Sequence, residues 1–473
     1  MEFASTNFIW MFLPACLILF YLAKWVLRSK ARDIVCKVIL LAFSLYFYYL
    51  AGWKGLIVLA VLILINYFGG LGIGAFASRE RIVGRTALLV VMIIINVEWL
   101  AFYKYFGLFS GRSIIMPLAF SFVIFQSISY LVDVSRGKVQ ADKNLLNYAL
   151  FTTFFGQMSQ GPILRYDDFG AQIVGKEKSF TETIHAADFA AGLKRFCYGL
   201  GKKIIIANTV AEVCDKIWEQ PRGIGTPVAW FGLLLYTLQI YFDFSGYSDM
   251  AVGIGKMFGL QIKENFDYPY TSLSIREFWR RWHMSLGSWF RDYIYIPMGG
   301  SRVNLGRICF NLFVVFLVTG VWHGADITFI IWGLIFALFS ILERLFLGKW
   351  LDKNPVKILN WIYCMIVVML GWVFFRAADL PQALIYFKEL FSFTSSAQHL
   401  TVIGYLNVDL IFAIVCGILF CGFFQRLFKK LYLKIQNTIP FVSVDLILQI
   451  AVLAWSILMI LQGSYTPSIY GRF

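Results

Sequence analysis

Uncharged apolar stretches recur along almost the whole chain. Residues 3–23, 38–53, 55–78, 113–132, 144–164, 223–242, 308–325, 327–342, 358–375, 410–425 and 446–471 each hold no Asp, Glu, Lys or Arg, and 86–103 joins them with Glu98 alone. A crossing helix needs about 20 mainly apolar residues, fewer when flanking side chains snorkel. The twelve windows therefore predict a polytopic all-α membrane protein. Segments 186–208 and 275–297 are more charged and weaker candidates. The overall make-up agrees: 59% of residues are apolar and 15% charged, against roughly half and a quarter in soluble domains. A soluble globular enzyme, a disordered chain and a disulfide scaffold are all excluded.

The excess of basic residues, net +15, does not point to nucleic acid, because the bases sit in short loops between apolar windows. Lys24, Arg28, Lys30, Arg32 and Lys37 follow the first window, Arg79, Arg81 and Arg85 the third, and Arg136, Lys138 and Lys143 the fifth in chain order, 113–132. The positive-inside rule places these loops in the cytoplasm, together with Lys349, Lys353, Lys357, Arg426, Lys429, Lys430 and Lys434. Both termini then lie outside. The first window lacks a basic lead-in and exceeds a signal-peptide core, so it reads as a retained span. Gly156, Gly161 and Pro162 break 144–164, which is expected to dip in and return while 186–208 crosses. Non-helical backbone at depth requires partners from protein or a water-filled cavity.

Few residues are equipped for chemistry. The eight cysteines are scattered without CxxC spacing or a Cys/His cluster, so no metal site is expected. There is no GxSxG elbow and no HExxH pair. Gly253, Gly255 and Gly259 lack the pattern of a P-loop and read as close helix packing. Of four histidines, His185 and His399 fall in polar connections. His323, in Thr319-Gly320-Val321-Trp322-His323-Gly324-Ala325-Asp326, lies between two apolar windows. An ionisable group there is a functional candidate; the competing reading is a neutral imidazole bonded between helices. His283 follows Arg276-Glu277-Phe278-Trp279-Arg280-Arg281-Trp282. Continuous helical spacing puts Arg276, Arg280, His283, Gly287 and Arg291 on one stripe beside an aromatic face. That stripe is either a receptor for a phosphate-bearing ligand or a set of snorkelling anchors on an interfacial helix. Asp243 and Asp249 either orient an imidazole or make ordinary interhelical hydrogen bonds.

Together these stretches resemble the membrane-bound O-acyltransferases. The resemblance is carried by Asn265-Phe266-Asp267-Tyr268-Pro269-Tyr270, Glu277 through Leu286, Arg291-Asp292-Tyr293-Ile294-Tyr295-Ile296-Pro297-Met298-Gly299-Gly300 and Val321-Trp322-His323-Gly324. Phe125-Gln126-Ser127-Ile128-Ser129-Tyr130 and Phe244-Ser245-Gly246-Tyr247-Ser248-Asp249 add to it. The likeness is strongest to the bacterial branch that holds the membrane subunit for alginate O-acetylation. The end of the chain, Pro467 to Phe473, resembles the aromatic terminus of that branch but departs from it at Gly471-Arg472.

The resemblance implies a single domain of 11–13 crossing or re-entrant helices, ringed around a thin catalytic region with a funnel from each face. Residues 1–110 would be N-terminal helices, 111–345 the catalytic core and 346–473 C-terminal helices. It implies His323 as catalytic base, with His283 as its partner that positions the thioester or donates to the oxyanion. Arg276, Arg280 and Arg291 would meet the donor's phosphates, supported by Asp243, Asp249 and Trp322. No bound cofactor is implied; the donor would be acetyl-CoA or another cytoplasmic acyl thioester. The acceptor would be an extracytoplasmic polysaccharide, reached with a secreted or anchored SGNH-like acyltransferase, at the bacterial inner membrane. Acylation of teichoic acid, a lipid or a protein would use the same histidines. A non-enzymatic polysaccharide exporter would share the broken helices and buried polar groups.

Overall fold

The computed structural model describes residues 2–110, 115–158, 160–175, 180–397, 400–463 and 465–467. His399 and most of the C-terminal tail, 468–473, lie outside them. Among the described residues every regular element is helical. Ten helices among the described residues are long and apolar enough to cross a membrane, and they match ten of the twelve apolar windows. The chain divides into two compact units, Met1–Phe196 with Tyr247–Glu264, and Cys197–Gly246 with Asn265–Phe473.

In chain order the elements used below are α1 (Phe8–Val26), α2 (Lys30–Ala51), α3 (Trp53–Ser78), α4 (Ile82–Gly107), α5 (Phe120–Ser135), α6 (Leu145–Thr153), α7 (Ala186–Gly201), α8 (Thr209–Glu219) and α9 (Thr226–Met257). The short α10 (Ile275–Arg281) and α11 (Met284–Phe290) follow. Then come α12 (Leu305–His323), α13 (Ile327–Lys353), α14 (Lys357–Arg376), α15 (Leu380–Phe391), α16 (Val408–Leu427), α17 (Lys429–Ile435) and α18 (Ile439–Leu461).

Two windows fall short of span length. Window 113–132 yields α5, of 16 residues. Window 144–164 yields the nine-residue α6, a single 3₁₀ turn at Phe155–Gln157 and non-helical chain over 160–164. The freed amide groups find local partners, as a buried break requires. Phe155 donates its N–H to the Ser44 hydroxyl at 3.0 Å. Gln157 donates its amide to the Phe151 and Thr152 carbonyls and accepts from Gln126 at 2.6 Å. Residues 186–219 are helical throughout, with a π turn at Lys202–Asn208 that joins α7 to α8.

Small and polar residues set the close crossings. In the first unit Asn66 and Asn96 exchange amide hydrogen bonds at 3.1 and 2.7 Å between α3 and α4. A Cβ on Gly253 would stand 2.6 Å from the Gly192 carbonyl oxygen, so Gly253 is a helix-packing glycine. In the second unit Gly320 of α12 faces Phe329 of α13 just as closely, its Cβ position 2.5 Å from a carbonyl oxygen. Without a hydrophobic drive between helices in lipid, such backbone approach supplies much of the packing. The outward faces are apolar: on α18 Ser456 is the buried residue, whereas Ile447, Ile450, Leu458 and Leu461 are exposed. Hydrocarbon is the solvent that suits such a face. The chain is a multi-pass membrane protein.

Candidate active site

The site is built within the second unit from a run that is locally improbable. Continuous helix over 275–297, expected from the spacing, does not form. Helix α10 ends at Arg281, His283 adopts φ +45° and ψ +55°, and α11 begins at Met284. A left-handed conformation is unusual for a residue other than glycine and persists where the surroundings hold it. Here the surroundings are the chain at Asn265–Asp267. Met284 donates its N–H to the Asn265 carbonyl at 2.9 Å, and Asp267 donates its own to the Arg281 carbonyl at 3.0 Å. Arg281 completes the seam with a 2.6 Å ion pair to Asp267 and a 2.7 Å pair to Glu277.

The imidazole of His283 is 3% exposed. Its Nδ1 lies 3.2 Å from Asn265 Oδ1, and the same oxygen accepts the Ser285 N–H at 3.1 Å and the Ser285 hydroxyl at 2.8 Å. Phe244 packs edge-on against the ring at 4.7 Å. Nε2 is buried with no hydrogen-bond partner among the described residues. Burial without a compensating charge disfavours the imidazolium and lowers the pKa.

The start of α10 is equally constrained. Ser274 caps it by accepting the Glu277 N–H at 3.1 Å, and Glu277 reaches back to the Leu273 N–H at 2.9 Å. This reciprocal arrangement satisfies donors that a helix start leaves open. Two more of them, the N–H groups of Ile275 and Arg276, go to the buried carboxylate of Glu343 at 2.6 and 3.0 Å. Tyr363 donates its hydroxyl to the same carboxylate at 3.1 Å.

His323 ends α12 and is 5% exposed. Three aromatic rings hold it: Trp322 at 4.6 Å, Trp332 at 4.9 Å and Phe375 at 5.1 Å. Gly324 leaves the helix in extended backbone and has no room for a Cβ beside Phe329. One aromatic cluster joins the surroundings of the two imidazoles. Trp279 of α10 touches Trp332 at 5.7 Å, and Trp282, next to His283, touches Trp372 at 5.0 Å. Trp372 in turn meets Phe375 at 5.6 Å.

The remaining predicted residues are placed differently. Arg276, Arg280 and Arg291 are exposed; Arg276 and Arg280 stay four residues apart on α10, whereas the left-handed turn at His283 interrupts the stripe before Arg291. Arg291 pairs with the adjacent Asp292 at 2.7 Å. Asp243, 1% exposed, forms a buried ion pair with Lys203. Asp249 belongs to the first unit and pairs with Arg195 at 2.7 Å. Trp322 is buried against His323. His185 is exposed, as its polar connection suggested.

Residues 38–380 match the membrane-bound O-acyltransferase family. The chain belongs to that family. It is an O-acyltransferase enzyme. A probable alginate O-acetylase of Pseudomonas aeruginosa is 39% identical over 412 residues, covering 83% of this chain and 75% of that protein. The peptidoglycan O-acetyltransferase of Helicobacter pylori is 35% identical over 422 residues, covering 81% and 78%. The teichoic acid D-alanyltransferase of Bacillus subtilis is 29% identical over 260 residues, covering 51% and 64%.

Within this family member, sequence reasoning passed over three residues that shape the site. Asn265 belongs to the Asn265–Tyr270 motif, in which no residue type by itself announces a role. Arg281 falls outside both the basic stripe and the aromatic face, although it is the arginine that stitches α10 to the 265–267 segment. Glu343 lay one residue beyond the 327–342 window. An acidic residue at the end of an apolar run is itself a signal that it has a buried partner.

Proposed function

We propose that this enzyme moves an acetyl group from a cytoplasmic thioester, acetyl-CoA being the simplest donor, to hydroxyls of an extracytoplasmic polysaccharide. The place of action is the bacterial inner membrane, and an SGNH-like acyltransferase completes delivery. The observation that supports this reading is the shared aromatic cluster around two buried histidines from distant parts of the chain. The glycan acceptors in the names of the alginate and peptidoglycan relatives support the acceptor class.

In this reading the acceptor's oxygen attacks the thioester carbonyl. The O–H bond breaks and its proton passes to His323, the new C–O bond forms as the C–S bond breaks, and the leaving thiolate takes that proton back from His323. An imidazole in its neutral form is a suitable base, since its bare ring nitrogen can take the proton. General-base assistance is worth roughly 10²–10⁴-fold. Dry aromatic walls strengthen each electrostatic contact and exclude hydrolytic water. Trp322, Trp332 and Phe375 hold the ring in place; Arg276 and Arg280 are the candidate contacts for donor phosphates.

The test is His323→Ala, purified in the same yield as wild type and assayed for acetyl-thioester cleavage. It is paired with mass spectrometry of surface glycans from cells carrying either form. Loss of both activities on the order of 10²-fold or more is expected. Turnover near wild type would remove His323 from this role, and unchanged glycans beside a lost thioesterase would redirect the search to another acceptor.

A further inference from the structure

We infer that Asn265 is a positioning residue that holds His283 in the tautomer with its proton on Nδ1, so that Nε2 offers a lone pair to a hydroxyl of the acyl acceptor adjacent to the one that His323 deprotonates. The substrate half of this statement rests on the acyl-transfer reading above; the tautomer half rests on hydrogen bonds alone.

A backbone N–H can only donate. The Asn265 atom that the Ser285 N–H meets at 3.1 Å is therefore the carbonyl oxygen and not the amide nitrogen. The Ser285 hydroxyl reaches the same oxygen at 2.8 Å. His283 Nδ1 faces it at 3.2 Å, and the Ser285 hydroxyl, whose one proton goes to the nearer Asn265 Oδ1, turns its oxygen to Nδ1 at 3.4 Å as a second acceptor. If Nδ1 carried a lone pair, two acceptors would oppose each other inside a buried site, at the cost of an unmade hydrogen bond. The proton therefore sits on Nδ1. A neutral imidazole has one N–H, which leaves Nε2 bare. That nitrogen is buried and unpartnered among the described residues.

The same segment also enforces the backbone that makes this geometry available. The Asn265 carbonyl accepts from Met284, and Asp267 donates to Arg281, on either side of the left-handed His283. An amide is the suitable side chain. A carboxylate would orient the ring equally well, but its charge would favour the imidazolium and consume the lone pair. A neutral Nε2 acceptor cannot donate to an oxyanion, so the oxyanion-donor role expected for His283 gives way to alignment of the acceptor through a neighbouring O–H.

The experiment is solid-state nitrogen NMR on the full chain in lipid bilayers, with ¹⁵N-histidine as the only label. Four histidines make the spectrum assignable by difference against His283→Gln, and no substrate is needed. The expected signature is a protonated Nδ1 and a bare Nε2 at neutral pH. Asn265→Asp is expected to keep the proton on Nδ1 and to protonate Nε2 at a higher pH than wild type. Asn265→Leu is expected to lose the single-tautomer signature. A wild-type Nε2–H signal would overturn the inference, and so would an unchanged tautomer in Asn265→Leu. Should Asn265→Leu not fold, the wild-type and Asn265→Asp spectra decide. A bare Nε2 combined with full glycan acetylation in His283→Gln would overturn the hydroxyl-accepting role while the tautomer stands.

Discussion

The Glu343 carboxylate sits 2.6 Å from the backbone nitrogen of Ile275, so α13 anchors the first turn of the helix that leads to His283. The contact links a buried acid to the geometry of an imidazole it does not touch. Hydrogen bonds to a charged group are worth about 1.5–3 kcal/mol each. Glu343→Gln leaves one oxygen for two N–H donors and turns an amide donor toward the other. We expect a lower unfolding midpoint in detergent and reduced turnover. An unchanged midpoint with full activity would show that α10 is held by its own Ser274 cap.

Lys203 and Asp243 pair in the second unit, 11% and 1% exposed at their side chains. Removing one partner of a buried pair strands a charge, at a cost of about 3–5 kcal/mol. Lys203→Met should therefore destabilise the protein strongly, and Lys203→Met with Asp243→Leu should recover most of the loss. Thermal melts of the single and double variants check this; additive losses would mean that the pair does not act as a unit.

Gly320 has no space for a side chain, because the neighbour is the backbone oxygen of Phe329. Overpacking of this kind costs about 1–3 kcal/mol or more when the obstacle cannot rotate away. Gly320→Val should lower the folded yield and the activity of adjoining His323. Gly306→Ala, on the same helix with its nearest neighbour at 3.7 Å, serves as the control and should behave as wild type.

If His283 and His323 serve one reaction centre, their losses will not multiply. Residues that act as a unit show strongly non-additive effects on turnover. The His283→Gln, His323→Ala double variant is expected to be about as slow as the worse single variant. A product of the two single effects in thioester cleavage would place the histidines in independent steps.

The sequence made most of the helices readable because hydropathy and length are local properties. It also singled out both histidines, since an ionisable group beside apolar windows is costly anywhere in such a chain. It misled at His283. Periodicity assumes unbroken helical dihedrals, and nothing between Arg276 and Arg291 announces a left-handed residue. The turn depends on Asn265, 18 positions earlier. Window 144–164 shows the converse: its glycines and proline announced a break, but the partners that satisfy it, Ser44 and Gln126, come from other helices.

The order of residues alone determined that this chain is a bundle of apolar helices joined by basic loops, with chemistry confined to a few buried polar groups. It did so because the transfer of a side chain between water and hydrocarbon is decided residue by residue. Only the tertiary structure decided which imidazole nitrogen is bare, which acid anchors α10 and which arginine closes the seam. Those choices are made by hydrogen bonds between segments far apart in the chain, whose geometry no local pattern encodes.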